Sequence, residues 1–165
     1  SLFISYPFSL DILPFGEYNF FKRIIHYFFV YFKMRINGEN MNISDYSILM
    51  VDDDVEFLKI SKIKLSKYYK VLTVDSGKTA LDYLTNHRVD AIILDYFMPL
   101  YDGRNILNIL KHRESTKKIP VIMATALSQE EVVNACGDNQ PDAIVTKPIN
   151  IEELLSKINM LVCMD

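Results

Sequence analysis

Two apolar runs in this chain end on carboxylates. Ser47 to Val51 gives way to Asp52, Asp53 and Asp54, and Ala91 to Leu94 stops at Asp95. Short apolar runs closed by charged residues read as strands buried on both faces, and open α/β sheets place their chemistry beyond the carboxyl ends of such strands. Two strand ends of this kind aim their acids at one point. Crowded carboxylates repel, so the arrangement needs a proton or a divalent cation, and oxygen ligands without His or Cys suit magnesium. The chemistry expected is a magnesium cup around an aspartate able to take a phosphoryl group. Singly, each acid has a plainer reading: Asp52 to Asp54 as helix caps, Asp95 as a turn residue.

The elements that must hold these acids begin near residue 41, where composition shifts. Twelve of the chain's twenty Phe and Tyr residues fall in the first 40 positions. Beyond that point strand-like and helix-like segments alternate, as in a parallel α/β sheet. The first strand, Ser47 to Val51, leads into a helix from about Val55 to Tyr69, with Leu58, Leu65, Tyr68 and Tyr69 along one face. Val71 to Val74 is a second strand, and Ser76 caps a helix carrying Ala80, Leu81 and Leu84. After the third strand, Met98-Pro99 and Asp102-Gly103 mark a loop before a helix bearing Ile106, Leu107 and Leu110. Pro120 opens a fourth strand, Val121 to Ala124, that stops at Thr125; Gln129 to Cys136 is a short helix. Ala143 to Thr146 is the fifth strand. Lys147-Pro148 then leads to a last helix capped by Asn150, with Glu153 reaching back and Leu154, Leu155, Ile158, Leu161 and Val162 on its buried side.

Bulk properties fit one small cytoplasmic domain of ordinary core size. Eighteen basic against 21 acidic residues, a net charge of -3, call for no nucleic-acid partner. Cys136 and Cys163 have no metal or redox spacing and read as reduced packing residues. His26, His87 and His112 are isolated and read as surface or helix-face residues.

The leader, residues 1–40, stands apart. Residues 18–36 could form a helix, but the longest stretch free of charge there, Ile24 to Phe32, is well short of the roughly 20 residues that cross a bilayer. Lys22 and Arg23 loosely imitate a signal peptide, but no small-residue cleavage site follows. Three readings stay open: an amphipathic membrane-surface helix, a helix packed on the main domain or on a second copy, or translated upstream sequence with the native start at Met41 or Met34.

Taken in order, Asp52-Asp53, Asp95, Met98-Pro99, Asp102-Gly103, Thr125-Ala126 and Lys147-Pro148 form a specific pattern, each at a strand end or in the loop after one. The pattern resembles the receiver domain of two-component response regulators and covers residues 45–163. The resemblance implies a doubly wound, flavodoxin-like sheet of five parallel strands in the order 2-1-3-4-5, with a receiver domain over 41–165. It implies Asp95 as phosphoacceptor from a sensor histidine kinase or phosphotransfer protein, and Mg2+ held by Asp53 directly, Asp52 through water, Asp95 and the backbone carbonyl of Phe97. Lys147 would pair with Asp95 and then with the phosphoryl group, the bond to Pro148 would be cis, and the Thr125 hydroxyl would report phosphorylation. Asp54 is expected to stabilise a helix N-terminus, and Asp102 to be a turn residue.

Two departures qualify the likeness. Ile144 stands where many receivers carry a switching aromatic residue. Phe97 and Leu127, beside the site, cannot orient an attacking water by hydrogen bonding, so a long-lived phosphoryl group is expected. The sequence ends two residues after Cys163, so the expectation is a single-domain regulator acting through surface contacts of its fourth and fifth helices on an unknown protein target. The alternatives are a phosphorylation-independent scaffold with this fold and an aspartyl-phosphate phosphohydrolase using Asp52-x-Asp54. The latter lacks the threonine expected after the second acid and any cap insertion.

Overall fold

A computed structural model describes residues 46–162. Five parallel strands form one sheet in the order β2-β1-β3-β4-β5: β1 Ser47–Val51, β2 Lys70–Val74, β3 Ala91–Asp95, β4 Val121–Thr125 and β5 Ala143–Thr146. The helices between and after them are α1 Val55–Leu65, α2 Gly77–Asn86, α3 Gly103–His112, α4 Gln129–Cys136 and α5 Ile151–Val162. This is the expected flavodoxin-like α/β fold. Expectations for the leader, His26 and Cys163 concern residues outside the described ones.

Side chains alternate across the sheet and build a core on each face. Leu49 and Val51 of β1 join Ile92 and Leu94 of β3 against α2, α3 and α4, with Leu84, Ile106, Leu107 and Val132 buried there. Ile48 and Met50 join Ala91 and Ile93 on the opposite face, against α1 and α5, with Leu58, Leu65, Leu154 and Ile158. β1, β3 and β4 are covered on both sides, which is why they read as unbroken apolar runs. Cys136 is a free, buried thiol, its proton affinity raised by burial, in keeping with a packing role.

Two sequence expectations need correction. The helix after β1 ends at Leu65 rather than near Tyr69: Ser66 to Tyr69 form turns, with Tyr68 and Tyr69 both donating to the Leu65 carbonyl, and Tyr68 is exposed while Tyr69 is buried. The apolar spacing continued past the point where the chain must turn to enter β2. At α5, Asn150 accepts from the Glu153 amide as expected, but the Glu153 carboxylate pairs with Lys157 at 2.6 Å instead of reaching back. A full capping box occurs at α4, between Ser128 and Glu131.

Candidate functional site

The acids meet at the carboxyl edge of the central strands. β1 and β3 are neighbours in register, Val51 opposite Leu94, so their next residues emerge together. Oxygen atoms of Asp52, Asp53 and Asp95 lie within 4.8 Å of one another. Asp52 is 1% and Asp95 4% exposed, whereas Asp53 is open to solvent.

Lys147 closes the hollow from the end of β5. Its Nζ donates to Asp52 Oδ2 at 2.7 Å and lies 2.9 Å from Asp95 Oδ1. Continuing the strand alternation puts Asp52, Asp95 and Lys147 on the pleat that faces α1 and α5, which is how one ammonium reaches both carboxylates. Burial, seconded by the charge of Asp52, pushes the Asp95 carboxyl above the usual carboxylate range despite its hydrogen bond from Lys147. For Lys147, burial opposes the charged form, but hydrogen bonds to Asp52 and Asp95 outweigh it and hold the ammonium above its ordinary value. The peptide bond to Pro148 is cis.

Thr125 ends β4 fully buried, one residue past Ala124, the register partner of Asp95. Its Oγ1 accepts from the Leu127 amide at 3.1 Å, and its carbonyl accepts from the Lys147 amide at 2.7 Å, so the ends of β4 and β5 are tied together. The Phe97 ring is 55% exposed and edge-on to Tyr96, while half-buried Leu127 packs against the core. Half-buried Ile144 packs there too, and its carbonyl accepts from Lys157 Nζ at 2.5 Å.

Asp54 caps α1: its Oδ1 accepts from the amides of Glu56 and Phe57 at 3.0 and 2.9 Å. That commits the second acid of the D-x-D pattern to a helix terminus and weighs against the phosphohydrolase reading. Asp102 likewise caps α3, accepting from Asn105 at 2.8 Å. Gly103 explains the Asp-Gly pair: a Cβ there would lie 2.2 Å from the Asp95 carbonyl oxygen, so only glycine lets α3 approach the strand end that carries Asp95.

Sequence reasoning missed Phe57. The Lys147 ammonium lies 5.1 Å from the centroid of its ring. The available signal was its place in the first turn of a helix springing directly from the acids.

Oxygen donors alone, in a group of three carboxylates answered by one ammonium, fit a hard divalent cation such as magnesium.

Comparison with known proteins gives this geometry its context. A family model, the response regulator receiver domain, matches residues 48–159. The two-component response regulator ORR3 of Oryza sativa subsp. indica is 32% identical over 70% of this chain and 89% of its own length. A probable cyclic di-GMP phosphodiesterase of Vibrio cholerae is also 32% identical, over 72% of this chain, but the chain spans only 27% of that relative's length. Among solved structures, the receiver domain of Francisella response regulator 1452 superposes with a TM-score of 0.65 at 30% identity, covering 72% of this chain and 98% of that one. The Vibrio cholerae chemotaxis protein CheY4 gives a TM-score of 0.63 at 28% identity, covering 70% and 98%. This chain belongs to the response regulator receiver domain family, a domain that is itself a phosphoacceptor signalling module of two-component systems rather than an enzyme.

Proposed function

We propose that the protein is a single-domain response regulator, its receiver spanning residues 41–165, that takes a phosphoryl group on Asp95. The observation that carries the reading is the convergence of Asp95, Asp52 and Lys147 at the carboxyl ends of β3, β1 and β5. An Asp95 oxygen attacks the phosphorus of a phosphohistidine; the P–N bond breaks with its electron pair going to the imidazole nitrogen, which takes a proton from water, and an acyl phosphate remains. Asp52, Asp53, Asp95 and the Phe97 carbonyl would hold Mg2+, which supplies positive charge to the phosphoryl oxygens. The Lys147 ammonium, while keeping its protons, shifts a hydrogen bond from the Asp95 carboxylate to a phosphoryl oxygen, and the Thr125 hydroxyl donates a hydrogen bond to another. Drawing that hydroxyl inward shifts the β4 end and, through the Lys147 amide, β5.

The donor is a sensor histidine kinase or phosphotransfer protein, and the cytoplasm is the compartment that fits it. It would dock beside α1, whose outer surface exposes Ile60 and Ile63 among Lys59, Lys62 and Lys64, with Lys67 in the turn that follows, suiting a partner face that is acidic around an apolar centre. Output passes through α4, β5 and α5 to a protein target. No helix among the described residues is long and apolar enough to cross a membrane.

The test is to incubate the protein with magnesium and acetyl phosphate and weigh it intact. One phosphoryl addition in the parent, absent in Asp95→Ala, supports the reading; equal addition to both refutes it.

A further inference from the structure

Two of the groups that hold the Lys147 ammonium are carboxylates; the third is a ring. Nζ donates to Asp52 Oδ2 at 2.7 Å, sits 2.9 Å from Asp95 Oδ1, and faces the Phe57 ring at 5.1 Å from its centroid. The ring face carries partial negative charge and attracts an ammonium within about 6 Å. Its position is fixed by the helix start: the Phe57 amide is bound to Asp54 Oδ1 at 2.9 Å, and the half-buried side chain packs against the α1/α5 core. A lysine is a point charge on a flexible stem, so its placement depends on what surrounds the head group.

We propose that Phe57 is a positioning residue for phosphoryl acceptance, holding the Lys147 ammonium over Asp95 while that ammonium exchanges partners. This rests on the assignment of Lys147 as the phosphoryl's counter-charge. On phosphorylation the ammonium gives up an Asp95 oxygen for a phosphoryl oxygen; Asp52 and the ring are the two attractions that persist. The ring suits this because it attracts the charge without accepting a conventional hydrogen bond, leaving the ammonium protons for oxygen. A carboxylate or amide in its place would compete for those protons. The ring also couples the first turn of α1 to the end of β5, two elements at opposite sides of the Asp95 strand end.

The test compares Phe57→Leu, Phe57→Tyr, Lys147→Met and the Phe57→Leu/Lys147→Met pair in the full chain, following phosphorylation by acetyl phosphate with magnesium. Phe57→Leu keeps apolar bulk and loses the ring face, and is expected to slow phosphorylation about 3- to 10-fold. Phe57→Tyr is expected within about twofold of the parent, and Phe57→Leu is expected to cost nothing further in the Lys147→Met background. An equal loss in both backgrounds, or a Tyr variant as slow as Leu, makes Phe57 a packing residue and overturns the proposal. A Lys147→Met variant at full rate instead overturns the assignment of Lys147, and this inference with it. In the parent protein, the Lys147 ε-methylene protons are expected to show an upfield ring-current shift by NMR that disappears in Phe57→Leu; its absence from the parent also contradicts the proposal.

Discussion

Asp95 is buried beside a second buried acid, Asp52, with one lysine ammonium between them. Its raised proton affinity means that the folded state holds the Asp95 proton more tightly than the unfolded chain does. The corresponding stability is present below the ordinary carboxylate range and is lost as pH rises through the raised native value. At neutral pH, without divalent cations, Asp95→Asn is therefore expected to raise the thermal midpoint, and the difference should shrink as pH falls towards 4, close to the unfolded carboxylate value. A midpoint lowered by the substitution at neutral pH would contradict this balance. Residue chemistry also sets how long a phosphoryl group would survive. With exposed Phe97 near the acids, Phe97→Asn is expected to speed its loss about tenfold, below the full effect of a positioned base. The decay of labelled phosphoprotein measures this, and unchanged decay would count against the apolar shield.

Helix and strand ends are what bring these residues together. Gly103→Ala is expected to cost about 1–3 kcal/mol of stability, because the added Cβ meets strand backbone rather than a flexible side chain, and to slow phosphorylation by moving Asp95. Denaturant unfolding and the phosphorylation rate test it together; an unaffected variant would mean that α3 can retreat freely. Asp54→Ala removes the α1 cap and is expected to cost about 1 kcal/mol with magnesium affinity preserved, as befits a cap rather than a ligand. Much of this was legible in the sequence, because β1, β3 and β4 are apolar runs that end at acids or Thr125, and Ser76 and Asn150 sit where caps belong; Asp102, expected as a turn residue, also proves to be a cap, and the Ser128 cap went unread. Most of what escaped was set by tertiary geometry. Local spacing could not show that α1 stops at Leu65 to let the chain turn into β2, or that Phe57 meets a lysine ninety residues away; the Glu153–Lys157 pair, four residues apart on one helix, was legible but competed with the cap expected of Glu153.

At the scale of the molecule, a two-faced sheet puts its whole chemical apparatus on one edge, so cation binding and folding are linked through that edge. Magnesium is expected to raise the unfolding free energy by about 2.7 kcal/mol at a concentration one hundred times its dissociation constant, and Asp53→Asn should remove most of the gain. Calorimetry with and without the ion measures it; an equal gain in the variant would place the ion elsewhere. The central claim, that Asp95 accepts the phosphoryl group, is tested most directly by trapping it. Borohydride reduces an aspartyl phosphate to homoserine, so protein phosphorylated with acetyl phosphate and magnesium, reduced and digested, should yield a peptide with homoserine at position 95 and none at 52 or 53. Homoserine at another acid, or phosphate found only on hydroxyl or imidazole side chains, would contradict the account.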